Sequence, residues 1–91
     1  MKYKVKPTKK FEKDLKLAAK RGYDLNLIAN IIKKLANGEK LPAKNKDHIL
    51  SGNYINKREC HITPDWLLIY EYDEKFLYLY LARTGSHSDL F

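Results

Sequence analysis

Residues 54–84 read YINKRECHITPDWLLIYEYDEKFLYLYLART, and the spacing within them decides the fold. Tyr54 to Ile62 is a strand candidate, Thr63-Pro64-Asp65 a turn, and Trp66 to Tyr72 a strand rich in aromatic and aliphatic residues. Asp73-Glu74-Lys75 turns the chain again into Phe76 to Thr84. Three strands joined by short turns predict an antiparallel meander. With a period of two, Leu77, Leu79 and Leu81 share one face, and Tyr78 and Tyr80 share the other. Arg83 falls in the leucine register, where it would be buried, so the alternation predicts a bend or strand end there. Beyond it Gly85 breaks the strand, and Ser86 with Asp89 three residues on has the form of a capping box for one final helical turn carrying Leu90 and Phe91.

Working back toward the N-terminus, the period changes. Lys2 to Lys6 alternates charge with Tyr3 and Val5 and reads as a short strand ended by Pro7. Thr8 can cap a helix in which Phe11, Leu15, Ala18 and Ala19 recur until Gly22, and Asp24 can cap a second with Leu27, Ile28, Ile31, Ile32 and Leu35, ended by Asn37-Gly38. Two helices with so short a link form an antiparallel hairpin. Glu39 to Asp47 is a polar connector. The predicted class is α+β, in the order β-α-α-β-β-β plus a C-terminal helical turn, with the helix hairpin on one face of an antiparallel sheet. Two helices cannot cover both faces. The leucines belong under the helices and the tyrosines on the open side.

A chain of 91 residues with 44% hydrophobic content has room for one domain, residues 1–91, and one core. No apolar run reaches the roughly 18 residues of a membrane span, and the N-terminal segment MKYKVKPTKK has no apolar signal region. With one cysteine, Cys60, expected to be buried and inert, these features point to the cytoplasm and to no membrane partner. The net charge is +7. It is unevenly spread: residues 1–46 carry 14 Lys/Arg against 4 Asp/Glu, and residues 47–91 carry 4 against 7. A basic half of this density favours polyanions such as nucleic acid.

All three histidines, His48, His61 and His87, lie in the less basic half, each beside a turn or an element end. Imidazole gives and takes protons near neutrality. The histidine spacing contains no close ligand pair and no CxxC, so neither a metal centre nor another cofactor is expected. Cys60 and His61, as strand neighbours, point to opposite faces and make a poor nucleophile pair. A basic body, an open aromatic sheet face, and histidines with an arginine are the parts needed to cleave RNA through its own 2′-hydroxyl: a base, an acid, and a cation for the charge on the phosphoryl oxygens. Exposed aromatic rings add stacking for unpaired bases.

Three ordered motifs carry a resemblance that spans nearly the whole chain. Lys46-Asp47-His48-Ile49-Leu50-Ser51-Gly52, His61-Ile62-Thr63-Pro64-Asp65-Trp66 and Arg83-Thr84-Gly85-Ser86-His87-Ser88-Asp89-Leu90-Phe91 resemble the YafQ branch of the RelE-type toxins, the mRNA interferases of toxin–antitoxin systems. The resemblance implies a RelE-like fold with its active site on the open sheet face, and cleavage of message in the ribosomal A site without metal. It implies His87 as general acid, His61 or Asp65 as general base, and His48 orienting them or sharing proton transfer. Arg83 would hold the scissile phosphate, with Trp66 and Phe91 positioning bases. It also implies an antitoxin partner, with operator DNA bound only through the toxin–antitoxin complex. Within the basic half, Lys9, Lys13 and Lys16 are the residues expected to dock on ribosomal RNA.

Two other readings compete: a toxin of the same fold that inhibits a protein target, as gyrase-poisoning relatives do, and a non-catalytic RNA-binding module. The histidine set separates the first from an interferase, and fold alone separates none of them.

Overall fold

The computed structural model describes residues 2–91. Its strands are β1 (Lys4–Pro7), β2 (His48–Ile49), β3 (Arg58–Thr63), β4 (Trp66–Asp73) and β5 (Tyr78–Gly85), and its helices α1 (Lys9–Lys20), α2 (Leu25–Ala36) and α3 (His87–Leu90). The sheet order is β1-β5-β4-β3-β2. β2 to β5 pair antiparallel, whereas β1 lies parallel to β5, with Lys4 opposite Tyr78 and Pro7 opposite Leu81, so the sheet is mixed.

Local chemistry sets the helix ends. The Thr8 hydroxyl accepts the Phe11 N–H at 3.1 Å, and the Asp24 carboxylate accepts the Asn26 N–H at 3.0 Å. Gly22 and Gly38 follow the two helices at φ of 81° and 76°, a region open to glycine at little cost. Phe11, Ala18, Ile28, Ile31 and Leu35 pack on Cys60, Leu68, Tyr70, Leu79 and Leu81, which form the helix-facing side of the sheet. Each large side chain buried there contributes about 1.5–3 kcal/mol. Leu67 and Ile69 alternate with that set and form a second cluster on the opposite face with Leu90, flanked by Leu50, Tyr54 and Ala82. The open face is therefore partly covered by α3 and residues 50–54.

Two strand starts and one added strand differ most from the sequence expectation. β3 starts at Arg58 because Gly52–Tyr54 forms a 3₁₀ turn and Asn56 adopts φ of 68°. β5 starts at Tyr78 because the Asp73 carboxylate accepts the Lys75 and Phe76 N–H groups and tightens the turn, leaving Leu77 exposed at φ of 55°. β2 is an addition, too short to leave a periodic signal.

The irregularity expected at Arg83 is present. Ile69 pairs with Arg83 and Tyr70 with Leu81, so Ala82 is bulged out of the ladder. The extra residue moves Arg83 out of the leucine register and onto the open face, beside the row of Ile69.

Candidate active site

The sheet pairing lays out the open face in rows. Glu59 stands opposite His48 on β2 and Ile69 on β4, and Ile69 stands opposite Arg83 on β5. One step along, His61 stands opposite Leu67, and Leu67 opposite Gly85, from which the chain runs through Ser86 to His87. Strand spacing puts the Arg83 and Glu59 backbones about 10 Å apart. An apolar floor of Leu67 and Ile69 thus separates a histidine side from an arginine side.

On the histidine side, Glu59 is the centre. It is 3% exposed, and its Oε1 lies 3.6 Å from both His48 Nε2 and His61 Nε2. That distance is longer than a hydrogen bond, so the contacts act as ion pairs when an imidazole carries a proton. The other nitrogens are held by the backbone: His48 Nδ1 contacts the Lys46 carbonyl at 2.7 Å, and His61 Nδ1 contacts the Pro64 carbonyl at 3.3 Å. The segment carrying His48 is itself pinned. Asn45, which is buried, donates to the His61 carbonyl at 2.7 Å, while Asp47 accepts from the Tyr70 hydroxyl at 2.6 Å and from Arg58 Nε at 3.2 Å. Burial, then the bond to Asp47, pushes the Tyr70 hydroxyl well above its ordinary range.

His87 enters from the end of β5. The Ser86 hydroxyl accepts the Asp89 N–H, and the Asp89 carboxylate accepts the Ser86 N–H, the reciprocal cap the sequence suggested. Arg21 at the end of α1 grips the same carboxylate at 2.7 and 3.2 Å; Arg21 and the Ser86 cap hold the Asp89 carboxyl far below the usual carboxylate range. The His87 N–H donates to Asp65 Oδ1 at 3.3 Å, and its Nδ1 lies 3.7 Å from the same atom. The His87 ring is centred 6.0 Å from His61 and 5.8 Å from Phe91, whose ring is exposed and meets Tyr54 edge-on.

His48, His61, Asp65, His87 and Phe91 thus gather at one end of the open face. Arg83 stands across the floor, where Asp14 of α1 accepts from its Nε and Nη2, at 2.7 and 3.2 Å. Lys9, Lys13 and Lys16 are exposed along α1. Trp66 is the exception among the expected site residues. It alternates with Leu67 and so faces the helices, 3% exposed, its ring tilted against Tyr23 at 4.9 Å and its indole N–H donating to Thr84 Oγ1 at 2.9 Å. It presents no ring face to a base; it anchors the strand that begins beside Asp65. Glu59 is the site residue that the sequence expectation lacks, although the two-residue period of β3 puts it on the face of His61. Cys60 points the other way, and burial pushes its thiol up to about 12. Among the described residues no group of three or more His, Cys, Asp or Glu is arranged to hold a metal ion, and no helix is long and apolar enough to cross a membrane.

The family model for "Bacterial toxin of type II toxin-antitoxin system, YafQ" matches residues 3–91. The chain is 43% identical over 82 residues to the mRNA interferase toxin YafQ of Escherichia coli K12, covering 89% of this chain and 87% of that one. It superposes on a metal-bound toxin from Helicobacter pylori with a TM-score of 0.92 at 44% identity, covering 98% and 99% of the two chains. A chain of the E. coli DinJ-YafQ toxin-antitoxin complex gives 0.89 at 37% identity, covering 100% and 99%. With a match over nearly its full length and relatives this similar in sequence and fold, the chain belongs to the YafQ family of bacterial toxins of type II toxin–antitoxin systems.

Proposed function

We propose that this chain, acting as one domain over residues 1–91, is a ribosome-dependent endoribonuclease that cuts messenger RNA in the ribosomal A site by 2′-hydroxyl attack. The observation that carries the reading is the convergence of His61, Asp65 and His87 at one end of an open face whose other side holds Arg83. His61 or Asp65 takes the 2′-OH proton, and the oxygen attacks the adjacent phosphorus. His87 gives a proton to the departing 5′-oxygen, and Arg83 stabilises the charge on the phosphoryl oxygens. The products are a 2′,3′-cyclic phosphate and a 5′-hydroxyl. His48 and Glu59 complete the proton network, the Glu59 carboxylate serving as counter-charge to whichever imidazole is protonated. Phe91, whose ring is exposed, holds a base.

The scheme draws only on side chains of the protein and calls for no metal; a metal-bound toxin from Helicobacter pylori has the same fold. The partners are the ribosome, met through Lys9, Lys13 and Lys16, the message, and an antitoxin, as in the DinJ-YafQ complex. Operator DNA is reached only through the antitoxin complex, and the site of action is the cytoplasm.

Primer extension on message in a translating extract tests the scheme. Wild-type protein is expected to leave discrete cuts, unchanged by a transition-metal chelator at constant magnesium. His87→Ala is expected to cut at least 10²-fold more slowly. Equal cutting by both proteins would refute the role of His87, and growth arrest by both without any cut would favour inhibition of a protein target.

A further inference from the structure

We propose that Asp14, in the middle of α1 and outside the histidine cluster, is a positioning residue that fixes the guanidinium of Arg83 for the phosphate. The inference rests on the reading of Arg83 as the phosphate-binding cation.

The bulge at Ala82 puts Arg83 on the open face, but a bulge alone leaves a long side chain free to sample many rotamers. Asp14 removes that freedom. Its carboxylate takes Nε at 2.7 Å and Nη2 at 3.2 Å, which fixes the plane of the fork as well as its place. The carboxylate is itself fixed, because Oδ2 also accepts the Thr84 N–H at 3.1 Å. α1 is tied to the same strand at its start, where the Thr8 N–H and hydroxyl donate to the carbonyls of Leu81 and Ala82. The helix thereby takes over the edge of β5 that β1 vacates after Pro7.

Of the five guanidinium N–H donors, two are engaged by Asp14 and three remain. Arg83 borders a depression of about 380 Å³ whose lining includes Lys9, Lys10, Lys57 and Tyr54. A phosphate in that depression meets a fork already held in one plane, with further positive charge around it. The cost of misplacing such a group by an ångström is a loss of up to about 10²-fold in rate. A purely electrostatic account makes the opposite forecast, since removing a carboxylate beside an anion site would strengthen phosphate binding and raise the rate.

The test is single-turnover cleavage of ribosome-bound message with toxin in excess, comparing wild type, Asp14→Asn, Arg83→Ala and the double variant. Asn keeps an oxygen for the Thr84 N–H while losing the charge. Asp14→Asn is expected to cut about 10-fold more slowly at saturating toxin, with half-saturation moved by less than about twofold. In the Arg83→Ala background the same change should add less than about twofold, because its effect passes through Arg83. A full additional loss in that background, or an Asp14→Asn rate equal to or above wild type, would overturn the proposal. If Arg83→Ala itself cuts like wild type, the reading of Arg83 fails first, and that result is distinct from the others. Should Asp14→Asn lose its melting transition, Asp14→Glu takes its place in the same cycle; it keeps the charge on a longer stem, and the same non-additivity is expected.

Discussion

Glu59 carries the sharpest consequence of a single side chain. Buried and flanked by two imidazoles at 3.6 Å, it serves in the proposed scheme as the counter-charge to a protonated histidine. Glu59→Gln keeps the shape and removes the charge. It is expected to slow cleavage by about 10²-fold, with the melting temperature held near that of wild type. A rate within threefold of wild type would reduce Glu59 to a packing residue. The position was readable in principle, since Glu59 and His61 share a face by simple alternation in Arg58–Thr63. An isolated acidic residue in a strand gives no chemical signal until the pairing with β2 brings His48 opposite it. The same alternation was decisive for Trp66, whose neighbour Leu67 takes the open face.

At the scale of elements, α3 shows how a four-residue helix is held at a working position. Asp89 closes the cap on Ser86 and receives Arg21, so α1 and α3 are joined through one carboxylate. Gly85 makes room for it: a Cβ there would stand 2.9 Å from Asp89 Cβ. Gly85→Ala is therefore expected to displace the His87 turn and lower cleavage by about tenfold, while the meander keeps its melting transition. Cleavage at the wild-type rate would show that the turn tolerates the shift. The capping box and both long helices were legible because each is specified within a few residues. The limits of β3 and β5 were not, because Asn56 and Leu77 leave the strand conformation under turn bonding that the alternating pattern does not record. β1 could be recognised as a strand, but not as a parallel neighbour of β5, since that pairing joins segments more than 70 residues apart and depends on the helix hairpin after β1 docking on one face of the sheet.

Across the whole molecule the charge split survives folding as a geometric one. The basic half supplies α1 with its exposed lysines, and the mildly acidic half supplies the sheet end with the histidines. Replacing Lys9, Lys13 and Lys16 together by Glu is expected to weaken ribosome binding by at least tenfold and to flatten its salt dependence, with the melting transition unchanged. Unaltered affinity would make that face a solvated one. The parallel pairing of β1 with β5 also has a consequence in time. β1 emerges first from a ribosome, yet its partner lies about 70 residues downstream, and Arg83 and His87 lie beyond that. Synthesis at about 5–20 residues per second leaves an interval of several seconds in which β1 and the two long helix segments have been made and β5, with Arg83, has not. The face that carries Arg83 and His87 can therefore be completed only after nearly the whole chain has been made.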